Sequence, residues 1–101
     1  MLVPYTEAEK LHIINAIKRA VVNPDKLTKK AYNFLYLSSG FIAHYSKDGF
    51  ISHYSAPGKL KDTILAHQNQ NQWRNFSEKD KDYAYYMAKK DVYNRVVEAI
   101  K

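Results

Sequence analysis

Two histidines occupy equivalent places in a short repeat, and their type and spacing raise the possibility of a metal site. Segment 41–46 reads FIAHYS, segment 50–55 reads FISHYS, and Lys-Asp-Gly separates them. In a hairpin with a two-residue turn at Asp48-Gly49, His44 and His53 would lie opposite each other and share an ion. In one continuous helix, their spacing at 100° per residue would place them about 180° apart.

The apolar residues around the repeat favour helices over the hairpin, which remains the alternative. Phe41, Ile42 and Ala43 are consecutive, whereas a half-buried strand alternates apolar and polar residues. Zinc commonly takes three or four ligands, and His12 and His67 are distant in the sequence. We therefore expect no metal and no cofactor, and we interpret the repeat as two amphipathic segments that cover the same core.

Other catalytic patterns are missing from the sequence. No GxxxxGK[ST] or GxGxxG motif is present, and three glycines are too few to indicate a phosphate-binding loop. Several serines have histidines nearby in the sequence, but no acid completes a triad. The absence of cysteine excludes disulfides and a thiolate nucleophile, and it fits a reducing compartment. We expect a protein that is not an enzyme.

Length, charge and hydropathy indicate one small basic domain over residues 1–101. The chain carries 16 Lys and Arg against 10 Asp and Glu, a net charge of +6 that is shared between its two halves. Such a charge favours acidic partners, including nucleic acids. No basic region leads into an apolar run at the start, and no apolar run approaches 18 residues. We expect a cytoplasmic protein that does not enter a membrane.

The 3.6-residue periodicity predicts an all-α domain of four helices with short connections. The first helix spans about 6–22, starting at a capping box formed by Thr6 and Glu9. The second starts at Asn23-Pro24 or at Thr28 and ends at an Asp48-Gly49 turn. A third follows Gly58, and a fourth runs from Ser77 to the C-terminus. The inward faces predicted for the first three helices are Leu11, Ile14, Ile17 and Val21, widened by Ile13 and Ala20; Ala31, Phe34, Leu35, Ser38, Phe41, Ile42 and Tyr45; and Leu60, Ile64 and Leu65. The face predicted for the fourth is Ala88, Val92, Val96 and Ala99, with Tyr86, Tyr93, Val97 and Ile100 beside it.

Basic residues are the candidate nucleic-acid contacts. The densest stretch runs from residue 18 to residue 30, and other lysines extend it if the fold brings them together. Lysines at this spacing contact phosphates without reading bases, although a solvated helix face is the simpler interpretation. The candidates are Lys18, Arg19, Lys26, Lys29, Lys30, Lys59, Lys61, Arg74, Lys89 and Lys90.

Aromatic residues in the second half of the chain are the candidate partner contacts. Trp73 follows a polar Gln/Asn tract and precedes Arg74, so an exposed indole there would stack on a base or anchor a protein interface. Tyr83 and Tyr85 are further candidates in the last helix. The alternative is that Trp73 and Phe76 pin the loop to the core.

Residues 32–45, YNFLYLSSGFIAHY, together with Gly49-Phe50-Ile51, resemble small proteins of phages and cassette-type mobile elements in low-GC bacteria. Among these, the chain is similar to the "middle protein" family encoded beside an A-family DNA polymerase on staphylococcal chromosome cassettes. The resemblance covers about residues 28–100 and has no catalytic signature. It implies a non-catalytic subunit that binds the polymerase and enables primer synthesis.

The leading hypothesis is therefore an accessory protein that binds a larger DNA polymerase or primase and assists primer synthesis or binds single-stranded template DNA. The alternative is a phage-type inhibitor, similar to an anti-CRISPR protein, that binds a host defence nuclease. A plain helix-turn-helix regulator fits less well, because the second helix is too apolar to serve as a recognition helix.

Overall fold

Five α-helices occur in the computed structural model, which describes residues 3–39, 46–68 and 77–101 and, of residues 37–39, the backbone only. They are α1 (Glu7–Val22), α2 (Lys29–Ser39), α3 (Lys47–His53), α4 (Lys59–Ala66) and α5 (Tyr83–Ile100). A short 3-10 helix, Pro24–Lys26, joins α1 to α2. No strand occurs in these described ranges. The predicted all-α class is confirmed, with one helix more than expected.

A capping box starts α1, as predicted. The Glu9 amide donates to the Thr6 hydroxyl over 3.1 Å, and the Thr6 amide donates to the Glu9 carboxylate over 3.0 Å. These two bonds satisfy backbone donors that have no partner within the helix. The buried face consists of Ile13, Ile14, Ala16, Ile17 and Ala20. Leu11 was expected on this face but is 46% exposed, because the stripe centres on Ile13 and Ile17.

The link from α1 to α2 uses both of the start signals found in the sequence. Asn23 ends α1, and its side chain accepts from the Asp25 amide at the start of the 3-10 helix. Thr28 then precedes α2, and its hydroxyl accepts from the Ala31 amide over 3.3 Å. The predicted face of α2 is confirmed at Ala31, Phe34 and Leu35, which are buried. The side chains predicted to continue it, from residue 38 to residue 45, lie outside the described part.

The predicted turn at Asp48-Gly49 is wrong, because both residues lie in the first turn of α3. The Ser46 hydroxyl accepts from the Gly49 amide over 3.0 Å, so Ser46 acts as an N-cap that starts a new helix here. The hairpin alternative is also excluded, since it requires an extended strand through residues that are helical. Phe50 and Tyr54 are buried, as expected for a segment that packs on the shared core.

The start of α4 after Gly58 agrees with the prediction, whereas the start of α5 does not. Gly58 precedes α4 with φ of 78°, a backbone conformation that glycine adopts without strain. The fourth predicted helix does not start at Ser77. The Ser77 amide donates to the Asp80 carboxylate over 3.0 Å, but the Asp80 amide bonds the Ser77 carbonyl and closes a separate turn. The helix α5 begins only at Tyr83.

One hydrophobic core joins all five helices, with α1 packing mainly on α5 and α2. Tyr93 lies fully buried at its centre and donates a 2.6 Å hydrogen bond to the Ile64 carbonyl, which ties α5 to α4. On α5, Ala88, Val92 and Val96 face the core as predicted. Ala99 is exposed, and Ile100 is buried instead, because the stripe drifts around the helix.

Candidate nucleic-acid interface

Four of the predicted basic residues lie around the connection between α1 and α2. Lys18 and Arg19 belong to the C-terminal part of α1, Lys26 ends the 3-10 helix, and Lys29 is the first residue of α2. All four side chains are exposed, and none forms an ion pair within the described residues. Their positive charges are therefore free to act on a partner.

Lys30 differs from these four because a carboxylate neutralises it. Its ammonium lies 2.7 Å from the Glu9 carboxylate. The Lys30 ammonium, followed by the Thr6 amide, lowers the pKa of Glu9 to about 2, so that carboxylate is charged at neutral pH. Of the two neighbouring lysines at the start of α2, Lys29 is therefore the stronger candidate for an anionic partner.

The expected exposure of Lys89 is wrong. Only 2% of this residue is accessible, and its ammonium donates a 3.2 Å hydrogen bond to the Tyr5 hydroxyl. The same ammonium lies 5.0 to 5.4 Å from the ring centres of Tyr5, Phe34 and Tyr85. Burial lowers the pKa of the Lys89 amine to about 8. Lys89 therefore belongs to an internal cation–π cluster and is not available to phosphates.

The remaining basic candidates lie on other elements. Lys59 is the exposed first residue of α4, Lys61 is half-buried on the same helix, and Lys90 is exposed on α5. Arg74 lies outside the described residues, as does Trp73. The candidate residues therefore divide into a group at the α1–α2 connection and separate positions on α4 and α5, and we retain only the former group as candidate nucleic-acid contacts.

The two tyrosine candidates for partner binding are half-buried at the start of α5. The Tyr85 ring lies 6.0 Å from that of Tyr5 and 5.3 Å from that of Tyr86, so it is already packed inside the protein. Burial raises the pKa of the Tyr85 hydroxyl. Tyr83 has no such ring contact in the described residues.

A groove of about 440 Å³ opens at the α1–α2 connection, and Lys29 is the member of the basic group that lines it. This volume lies within the range of about 300–1,000 Å³ that is usual for small-ligand sites. Its lining combines apolar and aromatic groups with a polar rim and two lysines. The lining residues are Pro24, Leu27, Thr28, Lys29, Tyr32, Asn33, Ser46, Lys47 and Phe50.

Lys47 is the one charged residue of this groove that sequence reasoning missed. Its ammonium lies 3.1 Å from the Asp25 carboxylate, which links the start of α3 to the 3-10 helix. The residue was overlooked because the Asp48-Gly49 pair was interpreted as a turn. The signal that could have found it is Ser46, whose type favours an N-cap and would have placed Lys47 at a helix start.

Lysine occupies the first position of three of the five helices in the described part of the chain, at Lys29, Lys47 and Lys59. A helix N-terminus carries partial positive charge. A cation there lowers the stability of the helix by about 0.3–1 kcal/mol, whereas an acidic side chain raises it by a similar amount. Asp25 offsets this cost for Lys47, but nothing in the described residues offsets it for Lys29. Of the two lysines that line the groove, Lys29 therefore carries a charge without a carboxylate partner in the described residues, whereas Lys47 is paired.

Histidines in the described residues serve local hydrogen bonds. His12 Nε2 lies 3.1 Å from the Thr28 hydroxyl, and His67 Nδ1 lies 2.9 Å from the Thr63 carbonyl. His53 is exposed and lies edge-on to the Tyr54 ring, whereas His44 lies outside the described part. Within residues 3–39, 46–68 and 77–101, no three His, Asp or Glu side chains come together as metal ligands.

Comparisons with known proteins add no relative. Neither a protein-family model, a curated protein nor a solved structure matches this chain. None of the described helices has the length and apolar character needed to cross a lipid bilayer. The geometry of the basic groove is thus the main feature from which a function can be argued.

Proposed function

We propose that this chain is a non-catalytic, cytoplasmic accessory protein of a mobile genetic element. In this role it binds a larger DNA polymerase or primase and helps to hold the template during primer synthesis. The proposal joins the resemblance in residues 32–51 with the absence of catalytic motifs in the sequence.

The observation that carries this proposal is the concentration of uncompensated positive charge beside a groove. Residues 18–50 contain six basic and two acidic residues, which give them a net charge of +4 out of +6 for the chain. Lys18, Arg19, Lys26 and Lys29 are exposed there without ion pairs among the described residues. Such clusters attract phosphates with an affinity that depends on salt.

A pull-down from the source cell, followed by an activity assay, tests this proposal. The tagged chain should co-purify with a polymerase or primase, and adding it to that enzyme should increase primer synthesis on single-stranded template. A Lys26→Glu/Lys29→Glu variant should still co-purify with the enzyme but should no longer increase primer synthesis at moderate salt. A Lys59→Glu/Lys90→Glu variant has the same net charge and should behave like the parent chain.

Two results would contradict the proposal. Co-purification with a nuclease, whose cleavage stops when the chain is added, would favour the alternative of a phage-type inhibitor. If the Lys26→Glu/Lys29→Glu variant still stimulates primer synthesis fully at low salt, the chain does not help to hold the template.

A further inference from the structure

We infer that the groove between the 3-10 helix, α2 and α3 binds single-stranded nucleic acid, with one base against Tyr32 and the adjoining phosphate on Lys29. This inference deepens the proposed function and rests on it for the biological setting. It concerns the isolated chain, however, so it can be tested without any partner protein.

The aromatic wall of the groove offers a surface on which the base of a nucleotide can stack. Tyr32 is half-buried in the wall, with its ring edge-on to Phe50 at 6.2 Å and parallel to Tyr36 at 6.5 Å. These contacts hold the Tyr32 ring in place, so that little side-chain entropy is lost when a base packs on it. Aromatic rings in a basic groove are the usual platform for single strands.

Polar groups at the rim supply the remaining contacts. Lys29 lines the groove and has no ion pair within the described residues, so its ammonium can bind a phosphate, whereas the ammonium of Lys47 is paired with Asp25. Asn33 is exposed on the next turn of α2, where its amide can meet the edge of a base. The Lys29 ammonium is a donor-only group that suits a phosphate, and the Asn33 amide can both donate to a base edge and accept from it.

Charge also argues for an anion and against a neutral occupant. Lys29 at the helix start is unfavourable for the stability of α2 and has no carboxylate partner in the described residues. Local choices that oppose stability tend to mark functional positions. A phosphate would relieve this cost by bringing a negative charge to the N-terminus of the helix.

Binding of a fluorescent 12-nucleotide oligothymidylate to the isolated chain tests the inference, with Lys29→Glu compared with Lys59→Glu. Both substitutions change the charge by the same amount at the first position of a helix. We expect Lys29→Glu to raise the dissociation constant at least tenfold at low salt. It should also reduce the slope of log affinity against log salt by about 0.7. Lys59→Glu should change the dissociation constant less than twofold.

Folding and base contact are checked separately. Lys29→Glu should melt at the same temperature as the parent chain or higher, because an acid suits the helix N-terminus, so a loss of binding cannot come from unfolding. An abasic oligonucleotide with the same number of phosphates should bind about tenfold more weakly than oligothymidylate.

Three outcomes would overturn the inference. These are equal losses for Lys29→Glu and Lys59→Glu, equal binding of the abasic strand, or a twelve-residue glutamate peptide that displaces the oligonucleotide and binds better. The last would make the groove a site for acidic peptides. If the chain stimulates a polymerase but fails these binding tests, the proposed function stands and the inferred binding site is wrong.

Discussion

The ammonium of Lys89 lies 3.2 Å from the Tyr5 hydroxyl, although 84 residues separate them in the sequence. The contact fastens the segment before α1 to the middle of α5. The rings of Tyr5, Phe34 and Tyr85 surround the same ammonium, and no carboxylate in the described residues pairs with it. The positive charge of Lys89 is thus buried with only cation–π contacts and one hydrogen bond to offset its desolvation.

Replacing Lys89 by methionine should leave the free energy of unfolding at pH 7 unchanged or raise it by about 1–2 kcal/mol. Methionine keeps the length of the side chain and removes a buried charge, a change that is often neutral or stabilising. Lys89→Ala should lower the free energy by about 1–3 kcal/mol, because it leaves a cavity between three rings. Urea unfolding measures both. A large loss for Lys89→Met would show that the ammonium itself holds the N-terminal segment.

Stability should rise with pH between about 8 and 10 because of Lys89. Burial lowers the pKa of its amine to about 8, below its ordinary value, so the unfolded chain binds the proton more tightly in this range. The penalty is complete below pH 8 and is relieved as the amine loses its proton. Above pH 10 the half-buried Tyr5, whose pKa is raised by desolvation, opposes a further gain in stability. Melting temperatures from pH 7 to pH 10 test this, and Lys89→Met should abolish the rise.

Asp91→Asn should destabilise the protein by about 0.5–1 kcal/mol at pH 7. The Asp91 carboxylate accepts from Lys10 over 3.0 Å and lies 3.5 Å from Arg95, so it joins α1 to α5. The Lys10 hydrogen bond lowers the pKa of Asp91, so the stabilisation is present at neutral pH and is lost as the carboxylate is protonated in acid.

The control for this ion pair is Glu98→Gln. Glu98 lies 3.8 Å from Lys101 at the exposed end of α5, where an ion pair contributes almost nothing. Urea unfolding at pH 7 and at pH 2.5 should show a smaller difference between Asp91→Asn and the parent chain at pH 2.5 than at pH 7, and Glu98→Gln should show almost no difference at either pH. A difference of the same size at both pH values would mean that the charge of Asp91 is irrelevant.

Replacing Gly58 and Gly49 by alanine should change the free energy of unfolding in opposite directions. Gly58 has φ of 78°, which disfavours any residue with a Cβ, so Gly58→Ala should lower the free energy of unfolding by about 1 kcal/mol or more. The added Cβ would lie 3.9 Å from the nearest Asp62 oxygen, so the cost is conformational and not steric crowding. Gly49 lies inside α3, where alanine should raise the free energy by about 0.5–1 kcal/mol. Thermal melts of both variants measure this, and a loss at Gly49 would contradict the helical assignment of that segment.

The parts of the fold that could be predicted are the helix starts and ends that depend on residues close together in the sequence. The Thr6–Glu9 capping box and the end of α1 at Asn23-Pro24 each depend on residues within four positions, and both are present. The Asp48-Gly49 turn was wrong because its composition fits either a turn or a helix start. The Ser46 cap and burial of Phe50, a tertiary effect, decide between them.

The candidate site was less predictable because sequence does not reveal which charges remain free. Lys30 and Lys89 have the same residue type as Lys29, yet one is neutralised by Glu9 and the other is enclosed by aromatic rings. Both outcomes depend on residues more than 20 positions away in the chain. Lys47 joins the groove only through the packing of α3 beside the 3-10 helix.

Amide chemical shifts of the isotope-labelled chain, recorded while oligothymidylate is added at low salt, test the central claim most directly. The account predicts that the changes concentrate in residues 24–33 and 46–50, around the groove, and that they disappear in Lys29→Glu. Changes concentrated on α4 and α5, or no changes at low salt, would contradict a nucleic-acid interface at the α1–α2 connection.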